Sequence, residues 1–270
     1  MTEVVGSVET VRSADGTGIS YRRTGAGPPL VLVHGAFDDA RIWRDVSPIL
    51  EERFTVYAVN RRGRGGSGAQ GDGYAVEREY EDVAAVIAAA AGLAGEPVHL
   101  LGHSSGARYA LHAALLVPNL LRSLVLYELP PLYVPPEEIM QRFEGFARAG
   151  DRESILMTFY SLAGVPAEVV AAMRGTPGWL MAVENAATFV PELRSAADYR
   201  FDPAAFSDLG VPALLLVGGQ SPAFYQEVAE MVAAALPDAG ISTLAGQGHE
   251  AMLDAPELFA SEVTRFLADR

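Results

Sequence analysis

Apolar and polar positions along the chain alternate between short strand-like runs and longer helical stretches. Residues 30–33, Leu-Val-Leu-Val, are continuously apolar after Gly-Pro-Pro, as is typical of a strand buried on both faces. Two β-rich runs, residues 5–12 and 18–23, flank an Asp-Gly pair and predict a hairpin. The later alternation favours an α/β fold with a mostly parallel sheet and helices on both faces. The patterns predict strands over residues 54–59, 97–101, 123–127, 211–217 and 241–244, and helices over residues 40–52, 76–91, 107–117, 223–236 and 256–268.

The alternation lapses between residues 129 and 208. This stretch begins with Pro-Pro pairs at 130–131 and 135–136 and continues with several helical patterns. We interpret it as a helical insertion without a core of its own, in a domain formed by residues 1–128 and 209–270. Its large apolar side chains favour an apolar pocket, although at least half of them must serve packing. They are Tyr133, Phe143, Phe146, Met157, Phe159, Tyr160, Trp179, Met181 and Phe189.

Composition narrows the chemistry open to the chain. Its 270 residues include no Cys, and its 20 basic residues, all Arg, face 34 acidic ones, for a net charge of −14. The missing Cys excludes thiol nucleophiles and cysteine zinc sites, and the missing Lys excludes Schiff bases and a P-loop lysine. No metal-ligand motif is present, so we expect neither a metal nor another cofactor.

The same composition bounds the partners. A strongly acidic chain is poorly suited to nucleic acid or anionic membranes, so a small-molecule substrate is expected. The first residues lack the basic and apolar segments of a signal peptide, which fits a cytoplasmic enzyme, although the absence of Cys is also compatible with secretion. The sequence is compatible with a monomer and with a homodimer.

The strongest motif is Gly-His-Ser-Ser-Gly at residues 102–106, between a predicted buried strand and a predicted helix. This is the context of a nucleophile elbow, a tight turn that holds a serine in strained geometry above the sheet. Small residues two positions on either side let the turn close. The helix N-terminus beside it favours negative charge. We therefore predict Ser104 as a nucleophile.

Two further loops fit the same chemistry. His249 lies in a glycine-flanked loop between the last predicted strand and helix, and it follows the serine in the chain, as a catalytic histidine of such a site does. His34-Gly35 follows the first buried strand, where a turning backbone can present an N–H to the nucleophile. We predict that the N–H groups of Ala36 and Ser105 form an oxyanion hole. The remaining histidines are expected to be structural: His34, His99, His103 and His112.

These motifs together resemble the α/β-hydrolase superfamily. Residues 60–67, Asn-Arg-Arg-Gly-Arg-Gly-Gly-Ser, are similar to that family's Asp-x-Arg-Gly-x-Gly-x-Ser loop, and the resemblance covers nearly the whole chain. It implies an α/β-hydrolase fold in which residues 129–208 are a helical cap. Family dehalogenases and epoxide hydrolases carry Asp at the elbow, so Ser104 argues against both activities. Asn60 and Arg62 are expected to brace the loop beneath the site.

Residues 63–68 of that loop also match a dinucleotide-binding G-x-G-x-x-G, with Glu81 and Asp82 at a suitable distance for a ribose. The glycines lead into further loop sequence instead of a helix, however. Without a helix N-terminus there is no site for the pyrophosphate, so we do not expect dinucleotide binding.

The acid of the triad departs from the family pattern. Family members commonly carry Asp shortly after the next-to-last strand, but residues 218–222 here read Gly-Gly-Gln-Ser-Pro. Glu128, at the end of the neighbouring strand, is the best candidate to orient the imidazole. The alternatives are Glu250 or Asp254 as the acid, a Ser-His dyad, or a Glu128 that is only a solvated loop residue.

The sequence therefore predicts a serine esterase or a related hydrolase, cleaving an ester, thioester or lactone of a small to medium apolar substrate through an acyl-enzyme on Ser104. Two alternatives stay open. One is a non-hydrolytic enzyme of the same fold, such as a lyase, cyclase or acyltransferase. The other is a catalytically silent ligand-binding member.

Overall fold

A central sheet of eight strands organises the structure, a computed structural model that describes residues 7–131, 135–197, 199–268 and 270. The strand order is β1-β2-β4-β3-β5-β6-β7-β8, with β1 and β2 antiparallel to their neighbours and the other pairs parallel. The predicted mostly parallel sheet is thus confirmed. The strands are β1 Ser7–Arg12, β2 Gly18–Gly25, β3 Pro29–Val33, β4 Thr55–Val59, β5 Val98–His103, β6 Leu121–Tyr127, β7 Ala213–Gly218 and β8 Ala239–Leu244.

Helices join and cover these strands. Short 3-10 turns occur at Ala40–Trp43, Pro118–Leu120 and Pro203–Phe206. The α-helices are α1 Ser47–Leu50, α2 Glu77–Ala94, α3 Ser105–Leu116, α4 Glu137–Ala149, α5 Arg152–Leu162, α6 Ala167–Met173, α7 Pro177–Ser195, α8 Ala223–Ala235, α9 Ala251–Asp254 and α10 Pro256–Ala268.

Side chains alternate between two cores because successive residues of a strand point to opposite faces. In β3 all five residues are buried. Val31 and Val33 pack into the core under α2, α3 and α8, whereas Leu30 and Leu32 pack into the core under α1 and α10. The predicted burial of this strand on both faces, and the predicted helices on both faces of the sheet, are confirmed.

The hairpin and most element boundaries agree with the pattern. Gly16, with φ of 86°, supplies the left-handed residue of the turn between β1 and β2. The predicted helix over residues 40–52 is wrong, because the chain forms a 3-10 turn over Ala40–Trp43 and then the one-turn helix α1. Pro48 lies in the first turn of α1, where its missing N–H costs nothing, whereas inside a continuous helix it would remove a hydrogen bond.

Helices α4 to α7 fall within residues 129–208 and follow β6. They share an apolar cluster with Phe37, and this cluster is separate from the two cores of the sheet. Because the cluster includes Phe37 of the loop after β3, it lies where the helical segment meets the rest of the chain, and the interpretation of residues 129–208 as an insertion stays a prediction. Seven of the predicted bulky residues belong to apolar clusters. Met181 packs into the sheet core under α1 and α10. The other six lie in or against the cluster with Phe37, and they are Phe143, Phe146, Phe159, Tyr160, Trp179 and Phe189. Met157 is exposed, and Tyr133 lies outside the described residues.

None of the helices in the described ranges is long and apolar enough to cross a membrane.

Candidate active site

The turn from β5 to α3 carries Ser104 in strained backbone geometry. Its φ of 54° and ψ of −126° are outside the regions that L-residues favour. A Cβ on Gly102 would lie 2.6 Å from Cα of Ala107, and a Cβ on Gly106 would collide with the backbone oxygens of Val33 and His34. The two glycines therefore let the turn close, as the motif predicts.

Glu128 follows β6 in a similar conformation, with φ of 53°. Its side chain is fully buried, and its Oε1 accepts a 2.7 Å hydrogen bond from the N–H of Gly218. Its Oε2 lies 3.2 Å from Nδ1 of His249. The structure thus brings together the predicted acid and the predicted histidine. At the usual family position after β7, the chain supplies a backbone donor to Glu128 instead of a carboxylate.

The His249 loop is held by side chains at the ends of β5 and β6. His103 Nε2 donates to the carbonyl of His249 over 2.9 Å, and the two rings are 4.6 Å apart. The Tyr127 hydroxyl donates to the carbonyl of Gly248 and accepts from the N–H of Ala251. The residue before the serine and the residue before the acid therefore both position this loop.

His103 is a neutral imidazole. Burial, with the charge of His249 adding to it, lowers the pKa of His103 well below its ordinary value. Because Nε2 carries the donated proton, Nδ1 is an acceptor, and it has no hydrogen-bond partner among the described residues. This nitrogen is a structural neighbour of the elbow and not its base. Tyr225 covers another side of the His249 ring at 5.2 Å.

The predicted oxyanion loop lies directly beside the elbow. A Cβ on Gly35 would be 3.2 Å from Cβ of Ser104, so the glycine permits the close approach. Ser105 is the first residue of α3, where N–H groups have no partner within the helix. Within the described ranges, the N–H of Ala36 also makes no hydrogen bond to the protein. Neither predicted donor therefore has a hydrogen-bond partner within the described ranges.

His34 fixes the start of this loop. Its Nδ1 lies 2.9 Å from the carbonyl of Gly35, and its Nε2 accepts a 3.2 Å bond from the N–H of Arg61. Burial, helped by Arg61 and Arg64, lowers the pKa of His34 far below its ordinary value. His34 is therefore a neutral Nδ1–H tautomer and, as expected, shapes the loop.

Two buried arginines that the sequence analysis did not single out lie beneath the oxyanion loop. Arg61 forms paired 3.0 Å bonds with Glu79 and a 2.8 Å ion pair with Glu192. Arg64 forms a 2.6 Å ion pair with the other oxygen of Glu192. Burial lowers the pKa of Arg61, but the two carboxylates outweigh it and hold that pKa well above its usual value. Arg61 is therefore fully charged inside the protein.

The braces predicted for this loop are present. Arg62 forms 2.7 Å bonds to both oxygens of Asp82, and Asn60 donates to Ser20 and accepts from the N–H of Ala40. The chain from Gly68 to the start of α2 is loop, which agrees with the rejection of a dinucleotide site.

A second carboxyl group that the sequence did not reveal lies near the serine. A Cβ placed on Gly35 would lie 2.8 Å from Oδ2 of Asp38 and 3.2 Å from Cβ of Ser104, so both side chains lie next to this glycine. Burial raises the pKa of Asp38 to about 7, with Glu250 adding to the shift and His249 opposing it. Glu250, the next residue in the chain after His249, is exposed, and its charge interacts with that of His249. The surroundings of His249 are therefore acidic.

Two cavities in the described ranges lie away from Ser104. The larger, about 310 Å³, is at the amino ends of the strands, between Pro28, His99 and Arg122. The smaller lies between α3 and α8, where Arg108, Pro131 and Val228 are among its lining residues. Neither contains a predicted site residue.

Comparison with known proteins defines the class. A model described as the alpha/beta hydrolase family matches residues 30–262, and the chain belongs to this family. A 2-(acetamidomethylene)succinate hydrolase from Mesorhizobium japonicum is 27% identical over 92% of this chain and 91% of its own.

Solved structures support the same class of protein. An alpha/beta hydrolase from Sphaerobacter thermophilus is 34% identical, with a TM-score of 0.84 over 96% of this chain and 100% of its own. An esterase from Rhodococcus sp. is 25% identical, with a TM-score of 0.76 over 97% of this chain and 98% of its own. The relatives named here are hydrolases, and they support a hydrolase for this chain.

Proposed function

We propose that the chain is a Ser-His-Glu hydrolase that cleaves an ester, thioester or lactone through an acyl-enzyme on Ser104. The observation that carries the proposal is the contact of Glu128 with Nδ1 of His249, next to a serine on a strained elbow. A buried carboxylate at this nitrogen holds the proton there and leaves Nε2 free to act as a base.

The proposed reaction has two stages, acylation of Ser104 and hydrolysis of the acyl-enzyme. His249 takes the hydroxyl proton as Ser104 attacks the carbonyl carbon, and Glu128 stabilises the imidazolium. The N–H groups of Ala36 and Ser105 bind the oxyanion. His249 then protonates the leaving alcohol or thiol. Water, activated by the same imidazole, attacks the acyl-enzyme and releases the acid.

The charges around His249 favour a substrate that is uncharged near the scissile bond. Asp38 and Glu250 both interact with the charge of this imidazole. Burial raises the pKa of Tyr160 in α5, and the charges of Glu250 and Asp38 add to that rise. A carboxylate on the substrate would be repelled by Glu250 and would raise the pKa of Asp38 further, so neither group favours it. The Mesorhizobium relative is named for a succinate, so we expect this chain to differ from it in substrate. The apolar cluster around Phe37 fits an apolar group beside the site.

Fluorophosphonate labelling together with a panel of neutral aryl esters and thioesters tests the proposal. We expect labelling of Ser104, located by peptide mass spectrometry, and turnover of at least one ester. Ser104→Ala should abolish both, while Ser161→Ala, a change at an exposed serine of α5, should alter neither.

The same experiment separates the alternatives. Labelling without turnover of any ester would favour a lyase, cyclase or acyltransferase of this fold. Absence of labelling in the folded protein would favour a ligand-binding member and refute the hydrolase.

A further inference from the structure

The orientation of the oxyanion loop is set by contacts to its carbonyl groups. The carbonyl of Gly35 accepts a 2.8 Å bond from Nη1 of Arg61 as well as the bond from His34. In a trans peptide the C=O and the following N–H point in opposite directions. Holding this carbonyl down therefore turns the N–H of Ala36 away from the arginine and up toward the site.

The next two carbonyls of the loop are held in the same way. The carbonyl of Ala36 accepts from Nη2 of Arg64, and that of Phe37 accepts a 3.2 Å bond from Nδ2 of Asn185. Arg61 also lies 3.4 Å from the hydroxyl of Ser105, the second expected donor. Three successive peptides of the loop are thus fixed from below.

The groups that fix them are anchored on one helix. Asn185 and Glu192 both belong to α7. Glu192 places one oxygen 2.8 Å from Arg61 and the other 2.6 Å from Arg64, and these three side chains are almost completely buried. A buried arginine without its carboxylate would reorient to find another partner, because an unpaired buried charge is costly.

We propose that Glu192, acting through Arg61 and Arg64, is a positioning residue that makes the oxyanion hole depend on the seating of α7. This inference rests on the proposed function. It assigns a role in stabilising the transition state to Arg61 and Arg64, two positions that the family pattern of the 60–67 loop leaves unspecified. It assigns the same role to Glu192, more than a hundred positions later in the chain. The helical segment after β6 then contributes to catalysis as well as to the shape of the substrate site.

Glu192→Gln tests this role, with Asp82→Asn as a matched control. Gln keeps the size of the side chain but turns one acceptor into a donor, so either Arg64 loses its carboxylate partner or Arg61 keeps only Glu79. Asp82 forms a comparably buried pair with Arg62, in the same loop, and that pair touches no oxyanion-loop carbonyl. Both variants should lower Tm, since each breaks a buried ion pair.

Only Glu192→Gln should change the chemistry. We expect its kcat to fall about 10- to 100-fold, short of the 10²–10³ that complete loss of an oxyanion donor costs, with KM changed less than about threefold. Inhibition by a trifluoromethyl ketone, which forms a tetrahedral oxyanion on the serine, should weaken by a similar factor. Asp82→Asn should keep both values within about twofold of wild type.

Arg61→Lys is the second variant, and it tests whether these contacts position the oxyanion loop if Glu192→Gln does not fold. Lysine keeps the charge but cannot reach Glu79, Glu192 and Gly35 together, so kcat should fall while the protein stays folded. Wild-type kcat in these variants, or an equal loss in Asp82→Asn, would overturn the inference. Failure of the proposed function is distinguishable, because the wild-type protein itself would then turn over no ester.

Discussion

Glu128→Gln is the most direct perturbation of the candidate triad. Glu128 places Oε1 2.7 Å from the N–H of Gly218 and Oε2 3.2 Å from Nδ1 of His249. The Gln side chain can keep the first bond with its amide oxygen. Its amide nitrogen then faces Nδ1 and donates to it. The ring proton must move to Nε2, the nitrogen that has to be unprotonated to receive the proton of Ser104.

The size of the effect follows from this change of tautomer. Replacing a triad carboxylate by its amide lowers kcat about 10⁴-fold, which corresponds to about 5.5 kcal/mol in the activation barrier. We expect a loss of about 10³- to 10⁴-fold here, because His249 is partly exposed and water can support the other tautomer. The fold should be retained, since the substitution preserves size and the bond to Gly218.

The assay is the rate of hydrolysis of a neutral aryl ester across pH 6 to 9, with Tm measured in parallel. The matched control is Glu250→Gln, which removes the neighbouring carboxylate that acts on His249 through charge. That control should lose less than about tenfold, as expected for one nearby charge. Near-normal kcat in Glu128→Gln, or an equal loss in Glu250→Gln, would refute the assignment of the acid.

Three further changes test other parts of the structure. Asp38→Asn should raise the free energy of unfolding in urea by about 1–3 kcal/mol at pH 8 and change it little near pH 4. The reason is that ionising Asp38 in the folded protein costs free energy, and this cost grows as the pH rises toward the raised pKa of about 7. Tyr127→Phe should lower kcat about tenfold in the ester assay, since it removes both hydrogen bonds to the 248–251 loop while keeping the ring. Gly106→Ala should lower the free energy of unfolding by about 3 kcal/mol or more, at the upper end of overpacking costs, because the added Cβ collides with backbone atoms. Gly92→Ala within α2 should raise the free energy of unfolding by about 0.5–1 kcal/mol.

Each of these has a contrary outcome. An Asp38→Asn gain that is independent of pH would show that the effect is not ionisation. Unchanged kcat in Tyr127→Phe would mean that His103 alone holds the histidine loop. Equal melting temperatures for the two glycine variants would contradict the close approach at the elbow.

Local patterns were sufficient to predict the sheet, the elbow and the position of the candidate acid. Ser104 and Glu128 could be found because each follows a buried strand, and the carboxyl ends of neighbouring parallel strands meet at one edge. Glu192 could not be found in this way, because its contacts with Arg61 and Arg64 depend on how α7 packs on the loop. Asp38 was missed because the pattern gives no sign of which loop acids fold toward the serine.

The position of Glu128 has a consequence for how such a site can change during evolution. Its carboxylate reaches across the sheet to the end of β7 and accepts the N–H of Gly218, so it occupies space that a carboxylate following β7 would also need. Two acids in that space would repel each other, and only one can serve the imidazole. The imidazole requires a negative charge at one place in the structure, and that charge can come from more than one position in the sequence. An acid can therefore move from one strand to its neighbour within a family while the histidine, the serine and their geometry stay the same.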